Sequence, residues 1–286
     1  MVRVDEELVR ALLAEQHPDL AHLAISRLSA GWDNVMFRLG DHLTVRVPHR
    51  TLGGELIEHE LRWLPLLGPA LPLPVPVPLR VGRPGCGYPW SWMVCPWLPG
   101  QVALDGNLGS AAARQLARFL LAMHQPAPTD APANLFRGVP PAVRADQVGE
   151  RLPRLVARPE RDALAKIWDV ALAAPAWSEP SLWLHGDVHP GNVLIDRSGT
   201  ISAVIDFGDL TSGDPASDLS VAWMLFDAEA TRAFRTDLAR YDAATWARAR
   251  GWCIALALAF LDSPAENQAM VPVGRRALAA LISEGR

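Results

Sequence analysis

The sequence predicts an α+β protein of two lobes: a small antiparallel-sheet lobe first, then a larger and mostly helical one. Three observations carry this. Short strand-like runs joined by tight turns fill the first third of the 286 residues. A proline- and glycine-marked stretch, Pro96-Trp97-Leu98-Pro99-Gly100, follows them. Beyond it the apolar residues recur at helical spacing, interrupted by an apolar–loop–apolar block near residues 182–205. The expected divisions are 1–96 for the first lobe, 97–100 for a hinge and 101–286 for the second.

In order, residues 5–16 place Leu8, Val9, Leu12 and Leu13 at helical spacing. Residues 23–28, 35–39 and 43–47 read as three strands of an antiparallel meander, with turns at 29–34 and Gly40-Asp41. A helix is expected over 54–67. Six prolines fall in residues 65–78. They read as a stiff extended connector, with a proline ligand for a partner domain as the alternative. Two more strands fit 79–83 and 88–95. Ser110 is expected to cap a helix that places Leu116, Phe119, Leu120 and Met123 on one face. Further helical patterns lie near 141–173, 215–227, 229–240, 242–262 and 272–284. No internal repeat is visible.

Half of the residues are hydrophobic and a fifth charged, as in an ordinary folded protein, and the net charge of −4 gives no reason to expect nucleic acid. Cys86, Cys95 and Cys253 are odd in number and lack metal spacing, which reads as reduced thiols in a cytoplasmic protein. The charged N-terminus does not resemble a signal peptide. The longest apolar run, Trp252 to Leu261, is too short to span a bilayer, so no membrane association is expected.

The chemistry is concentrated in two motifs: His185-Gly186-Asp187-Val188-His189-Pro190-Gly191-Asn192 and, after two apolar runs, Asp206-Phe207-Gly208. An acid, an amide five positions on, and a second acid opening a glycine turn suit metal-assisted phosphoryl transfer. That reaction needs positioning and charge neutralisation more than covalent work. Asp187 would orient a hydroxyl, while Asn192 and Asp206 offer the hard oxygen ligands that magnesium prefers. His189 has no assigned task.

The segment from Trp183 to Leu219 resembles the aminoglycoside phosphotransferase family, relatives of the protein kinases. The resemblance implies a two-lobed protein-kinase-like fold, Mg²⁺, and ATP or GTP as phosphate donor. By position it makes Asp187 the catalytic base, Asn192 and Asp206 the metal ligands, and His185 a loop-packing residue. It makes Asp218 an acid bracing the catalytic loop; helix-start chemistry after Asp214-Pro215 explains Asp218 equally well. A nucleotide would lay its base against backbone groups near Pro96, Trp97 and Leu98. In the kinase pattern a lysine on the third strand grips the phosphates and pairs with a helix glutamate. Here Arg46 stands in its place, since Lys166, the only lysine, lies in the other lobe. A structural arginine is the alternative. Glu60 is the expected partner, with Glu55 and Glu58 as rivals. Ser29, in the first turn, is a candidate phosphate contact, although the turn also reads as a plain hairpin.

The acceptor is less legible. Residues 179–270 hold thirteen acids and six arginines. Such an excess would attract a cationic hydroxyl acceptor such as an aminoglycoside. It equally fits solvated helix surfaces. Asp209, Asp227, Asp262 and Glu266 are the candidates for substrate amines. The expected activity is transfer of the γ-phosphate to a small-molecule hydroxyl, most of all on an antibiotic. The alternatives are a choline, homoserine or sugar kinase, and a kinase-shaped nucleotide-binding module without turnover. Gly186 replaces the arginine of protein kinases, and only five residues separate Gly208 from Asp214-Pro215, which leaves no room for a long activation loop.

Overall fold

The computed structural model describes residues 1–284, the side chains of 265–267 excepted. The described chain divides into two compact units: residues 1–99 with 206–208, and residues 100–205 with 209–284. The segment Asp206–Gly208 thus groups with the first unit, not with the second lobe as the linear reading had it.

In the first unit α1 (Glu6–Gln16) precedes β1 (Ile25–Ala30), β2 (Asn34–Leu39) and β3 (Leu43–Pro48); α2 (Thr51–Leu67), β4 (Arg80–Gly82) and β5 (Trp92–Pro96) follow. The sheet is antiparallel, ordered β1-β2-β3-β5-β4. Period-2 alternation sorts its side chains. Phe37, Leu39, Val45, Val47, Trp92 and Val94 join Val9, Leu12 and Leu13 of α1 in one core. Met93 and Cys95, on the opposite face, pack with Ile57 of α2. Arg46 pairs with Met93 in the register and so points to the α2 side. Each fully buried Leu, Val or Phe side chain here contributes roughly 1.5–3 kcal/mol.

Two expectations are corrected here. Ser29 lies within β1 opposite Met36, beyond a register shift, and not in the turn. The turn is confined to residues 31–33, closed by the Gly31 N–H donating to the Asn34 carbonyl at 2.9 Å. Pro65 sits inside α2, so the extended connector begins only after a short 3-10 turn at Gly68–Ala70. Helix α2 also starts a turn early, because Gly53 lets it meet the β1–β2 turn. A Cβ there would stand 2.5 Å from the Asp33 carbonyl.

The second unit runs β6 (Gln101–Val102), α3 (Ser110–Met123), α4 (Ala145–Leu155), α5 (Glu160–Ala173), β7 (Leu182–Leu184), β8 (Val193–Ile195), β9 (Ile201–Val204) and β10 (Thr211–Gly213). Five helices end it: α6 (Ala216–Leu219), α7 (Ala222–Leu225), α8 (Ala228–Asp237), α9 (Ala243–Leu261) and α10 (Val271–Glu284). Helix α9 is buried nearly all round and is the central beam, packed by α4, α5, α6 and α10. Inside, Arg248 of α9 grips Asp214 through Nε at 2.6 Å and Nη2 at 3.1 Å.

Three boundaries differ from expectation. The pattern over 141–173 is a 3-10 turn (Pro141–Arg144) and two helices, the chain turning extended at Val156 before Pro159 precedes α5. The 215–227 pattern is two short helices; between them the Ser220 hydroxyl donates back to the Ser217 carbonyl at 2.6 Å. Ser110 is the first residue inside α3, and Gly109 takes the N-cap position. All three cysteines are free thiols. Among the described residues no helix is long and apolar enough to cross a membrane.

Candidate active site

The loop from His185 to Asn192 joins β7 to β8, so a buried strand at each end fixes its span. Its shape is set from below by Asp218 of α6, which is fully buried. The backbone N–H groups of His185 and Gly186 donate to the two Asp218 oxygens, each at 2.9 Å. His124, at the end of α3, donates from Nε2 to Asp218 Oδ2 at 3.1 Å and accepts from the Tyr241 hydroxyl at 2.7 Å. A carboxylate can only accept, which assigns the proton of His124 to Nε2. Asp218 is thus saturated by loop and histidine. The α6 N-terminus is served instead by Asp214, which accepts from the Ala216 N–H. His185 donates from Nε2 to the Ile205 carbonyl at 3.0 Å and receives the Asp187 N–H on Nδ1 at 3.3 Å. Its ring packs the loop.

Gly186 has φ +86°, and a Cβ there would sit 2.1 Å from the Asp209 carbonyl. Both facts demand glycine. Gly186→Ala is expected to cost more than about 2 kcal/mol and to abolish turnover; a melting temperature and rate equal to wild type would contradict the loop geometry.

At the loop's crest Asp187 is held at both oxygens. Arg137 Nη2 donates to Oδ1 at 2.8 Å, and His189 Nε2 lies 3.3 Å from Oδ2. The Gly191 N–H donates to His189 Nδ1 at 3.0 Å, which leaves the proton on Nε2. Burial alone would raise the Asp187 pKa. The Arg137 guanidinium, with His189 and His185, outweighs it and holds the carboxyl well below the usual range. Asn192 donates from Nδ2 to the Asp187 carbonyl at 2.9 Å. That contact orients the amide with Nδ2 as donor and leaves Oδ1 as its acceptor atom.

In the first unit Arg46 Nη1 donates to Glu60 Oε2 at 2.7 Å, and Nη2 to Asp206 Oδ1 at 2.9 Å. Asn34, with its amide oxygen turned to the guanidinium, accepts from the same arginine at 2.9 and 3.1 Å. Burial opposes the charge on Arg46, but Glu60 and Asp206 more than restore it, so its pKa is raised. Glu55 and Glu58 are exposed. Asp206 adopts φ +63°, a left-handed conformation that an aspartate tolerates better than most residues, and its side chain is half exposed. Asn192, in the second unit, and Asp206, in the first, each carry a hard oxygen of the kind Mg²⁺ prefers, and Mg²⁺ takes other ligands from water and phosphate. Among the described residues no cluster of three His, Cys, Asp or Glu side chains could hold a metal.

The remaining candidates have contacts of their own. The Trp97 N–H donates to the His42 carbonyl at 2.7 Å, and Arg38 stacks on its ring at 3.9 Å. That N–H is already engaged; Pro96 ends β5, and Leu98 is half-buried. Asp209 accepts from Asn134 Nδ2 at 2.9 Å. Asp227 caps α8 through the Ala230 N–H at 2.8 Å. Asp262 is bound by Arg151 Nε at 2.9 Å and Arg154 Nη2 at 2.8 Å. The Glu266 side chain lies outside the described residues. Sequence reasoning missed Arg137 and His189 as partners of Asp187. Arg137 sits in an irregular stretch with no periodic signal, whereas His189 was visible in the motif itself.

Fold and loop chemistry together define a phosphotransferase. The chain belongs to the phosphotransferase enzyme family designated APH, matching it over residues 24–252. Its fold is similar to that of the GDP and kanamycin complex of APH(2")-IIia, with a TM-score of 0.73, 19% identity, and coverage of 97% of this chain and 99% of that one. It is also similar to the apoenzyme of the macrolide 2'-phosphotransferase MphH from Brachybacterium faecium, with a TM-score of 0.60, 22% identity, and coverage of 97% and 98%. A curated relative is the uncharacterized protein YcbJ of Bacillus subtilis (strain 168). It is 33% identical over 55 residues, a match spanning 19% of this chain and 18% of that protein.

Proposed function

We propose that this enzyme moves the γ-phosphate of ATP or GTP to a hydroxyl of a small molecule. The observation that carries the reading is the Asp187 carboxylate, held ionised at both oxygens on a loop braced by a buried acid. Asp187 accepts a hydrogen bond from the acceptor hydroxyl and aims its oxygen at phosphorus. A carboxylate so strongly stabilised is a weak base. Its main task is orientation, and it takes the proton late, once bond formation to phosphorus has made the hydroxyl acidic. Asn192 and Asp206 are assigned as ligands of Mg²⁺, which supplies charge neutralisation on the donor phosphates. Arg46, oriented by Glu60, is assigned as the phosphate cation; its planar fork replaces the point charge of a lysine. The adenine or guanine is assigned to Pro96–Leu98.

Antibiotics head the acceptor panel, because the fold relatives include a kanamycin complex and a macrolide 2'-phosphotransferase. The test is transfer of labelled γ-phosphate from ATP and GTP to aminoglycosides, macrolides, choline, homoserine, sugars and hydroxy acids, with Mg²⁺ or with EDTA. Transfer is expected only with Mg²⁺, and Asn192→Ala and Asp206→Ala are each expected to slow it roughly 100-fold. Mg-nucleotide binding with neither transfer nor slow hydrolysis would instead favour a binding module.

A further inference from the structure

Around Asp187 the second unit presents arginine, not spare carboxylate. Arg137 donates from Nη2 to Asp187 Oδ1 at 2.8 Å and reaches Asp209 Oδ2 only at 3.8 Å. Its Nη1 donates to the Phe136 carbonyl at 3.3 Å, and its buried Nε has no hydrogen-bond partner. Arg144 donates from Nη2 to that same Phe136 carbonyl at 3.2 Å, and from Nη1 to Gln147 Oε1 at 3.1 Å. Two guanidinium groups therefore converge on one neutral oxygen. Arg144 makes its hydrogen bonds to neutral oxygens alone, and Asp209 and Asp187 act on it only at longer range. Burial, then Arg137 and Arg151, push its pKa down to about 10, the mark of a cation lacking a counter-charge.

The acids that would bind an amino sugar are used elsewhere. Asp209 is held by Asn134 and faces Arg137. Asp262 is held by Arg151 and Arg154. Asp227 caps a helix. Of the acids where substrate amines were expected, Asp262 is thus paired with two arginines, while Asp209 and Asp227 already accept hydrogen bonds from neutral groups.

We propose that Arg137 and Arg144 receive an anionic group, a carboxylate or a phosphate ester, carried by the hydroxyl acceptor. The acceptor is then a hydroxylated anion, a class chemically opposite to the polycationic amino sugars. The term acceptor rests on the phosphotransfer reading; anion binding beside Asp187 does not. Chemically, the free Nε of Arg137 and the planar fork of Arg144 supply the several N–H donors that a carboxylate or phosphate needs. Arg137 would bridge acceptor and Asp187, fixing the distance between the bound anion and the reacting hydroxyl.

The test compares thermal shifts at constant ionic strength. Gluconate and glycerol 3-phosphate are the anions, sorbitol and glycerol their uncharged counterparts, kanamycin the polycation, and MgATP the control for the donor site. Gluconate or glycerol 3-phosphate is expected to bind at least about tenfold tighter than its counterpart, with a preference that shrinks as salt rises. Which of the two wins separates a carboxylate from a phosphate ester. Arg144→Gln is expected to erase the preference and keep the MgATP shift, while Arg144→Lys keeps part of both. A larger shift with kanamycin than with either anion, or no anion preference in the wild type, would overturn the proposal. So would an Arg144→Gln variant that binds the anions as before, or one that loses its MgATP shift, which would give the pair to the donor phosphates. Absence of any MgATP shift or transfer in the wild type would sink the phosphotransfer reading alone, because the anion preference is read without nucleotide.

Discussion

Asp187→Asn is expected to slow phosphate transfer by about 10³-fold while leaving Mg-nucleotide binding within roughly twofold of wild type. The asparagine keeps the shape and one acceptor oxygen for Arg137, and although its NH₂ then faces His189 Nε2, the Asp218 brace that holds the loop is untouched. What disappears is the charge that aligns the hydroxyl and later receives its proton. Steady-state rates and a nucleotide thermal shift, run side by side, check both halves; undiminished transfer would remove Asp187 from the chemistry.

The pH dependence follows from the same contacts. The Asp187 pKa is depressed by Arg137 and the two histidines against the opposing effect of burial. Its contribution to stability is therefore fully present above the unfolded carboxylate value of about 4, and is lost only as pH falls through the lower folded value. No acid limb in the rate should come from Asp187 under ordinary assay conditions. In Arg137→Gln burial would no longer be outweighed by that guanidinium, and an acid limb should move upward in pH.

Asp218→Asn is expected to be the most damaging change to stability near the site. The carboxylate accepts two backbone N–H groups and the His124 Nε2–H inside a fully buried cage. An amide must turn its NH₂ toward one of these donors, leaving donor against donor. The cost should be about 3 kcal/mol, and a domain of this size should melt roughly 6–12 °C lower. Transfer should fall as well, because the amides of His185 and Gly186 set the approach of Asp187. Calorimetry decides it, and an unchanged melting temperature would show that the cage does not bear on the loop.

Much of this was legible in the chain. Alternation in Leu43–Val47 gave the faces of β3 and hence the direction of Arg46. The five-residue spacing of Asp187 and Asn192 placed both on one loop, which is pinned between β7 and β8 and leaves little freedom for its residues. Helix ends were harder. Pro159 was in plain view, yet the apolar period runs through it, and the chain leaves the helix earlier, at Val156. Arg137 was invisible for a different reason. Its bond to Asp187 joins residues fifty positions apart through a stretch of irregular backbone, where neither period nor turn chemistry applies. The grouping of Asp206–Gly208 with the first unit is likewise a property of packing and not of local sequence.

Arg46 carries one practical consequence. Reagents that tag ATP-consuming enzymes commonly acylate or sulfonylate a neutral ε-amine beside the bound triphosphate. A guanidinium whose proton is secured by Glu60 and Asp206 has no free electron pair to attack with. The sole ε-amine of this chain belongs to Lys166, exposed on α5. Amine coupling through Lys166 would tether the protein to a sensor chip without touching Arg46.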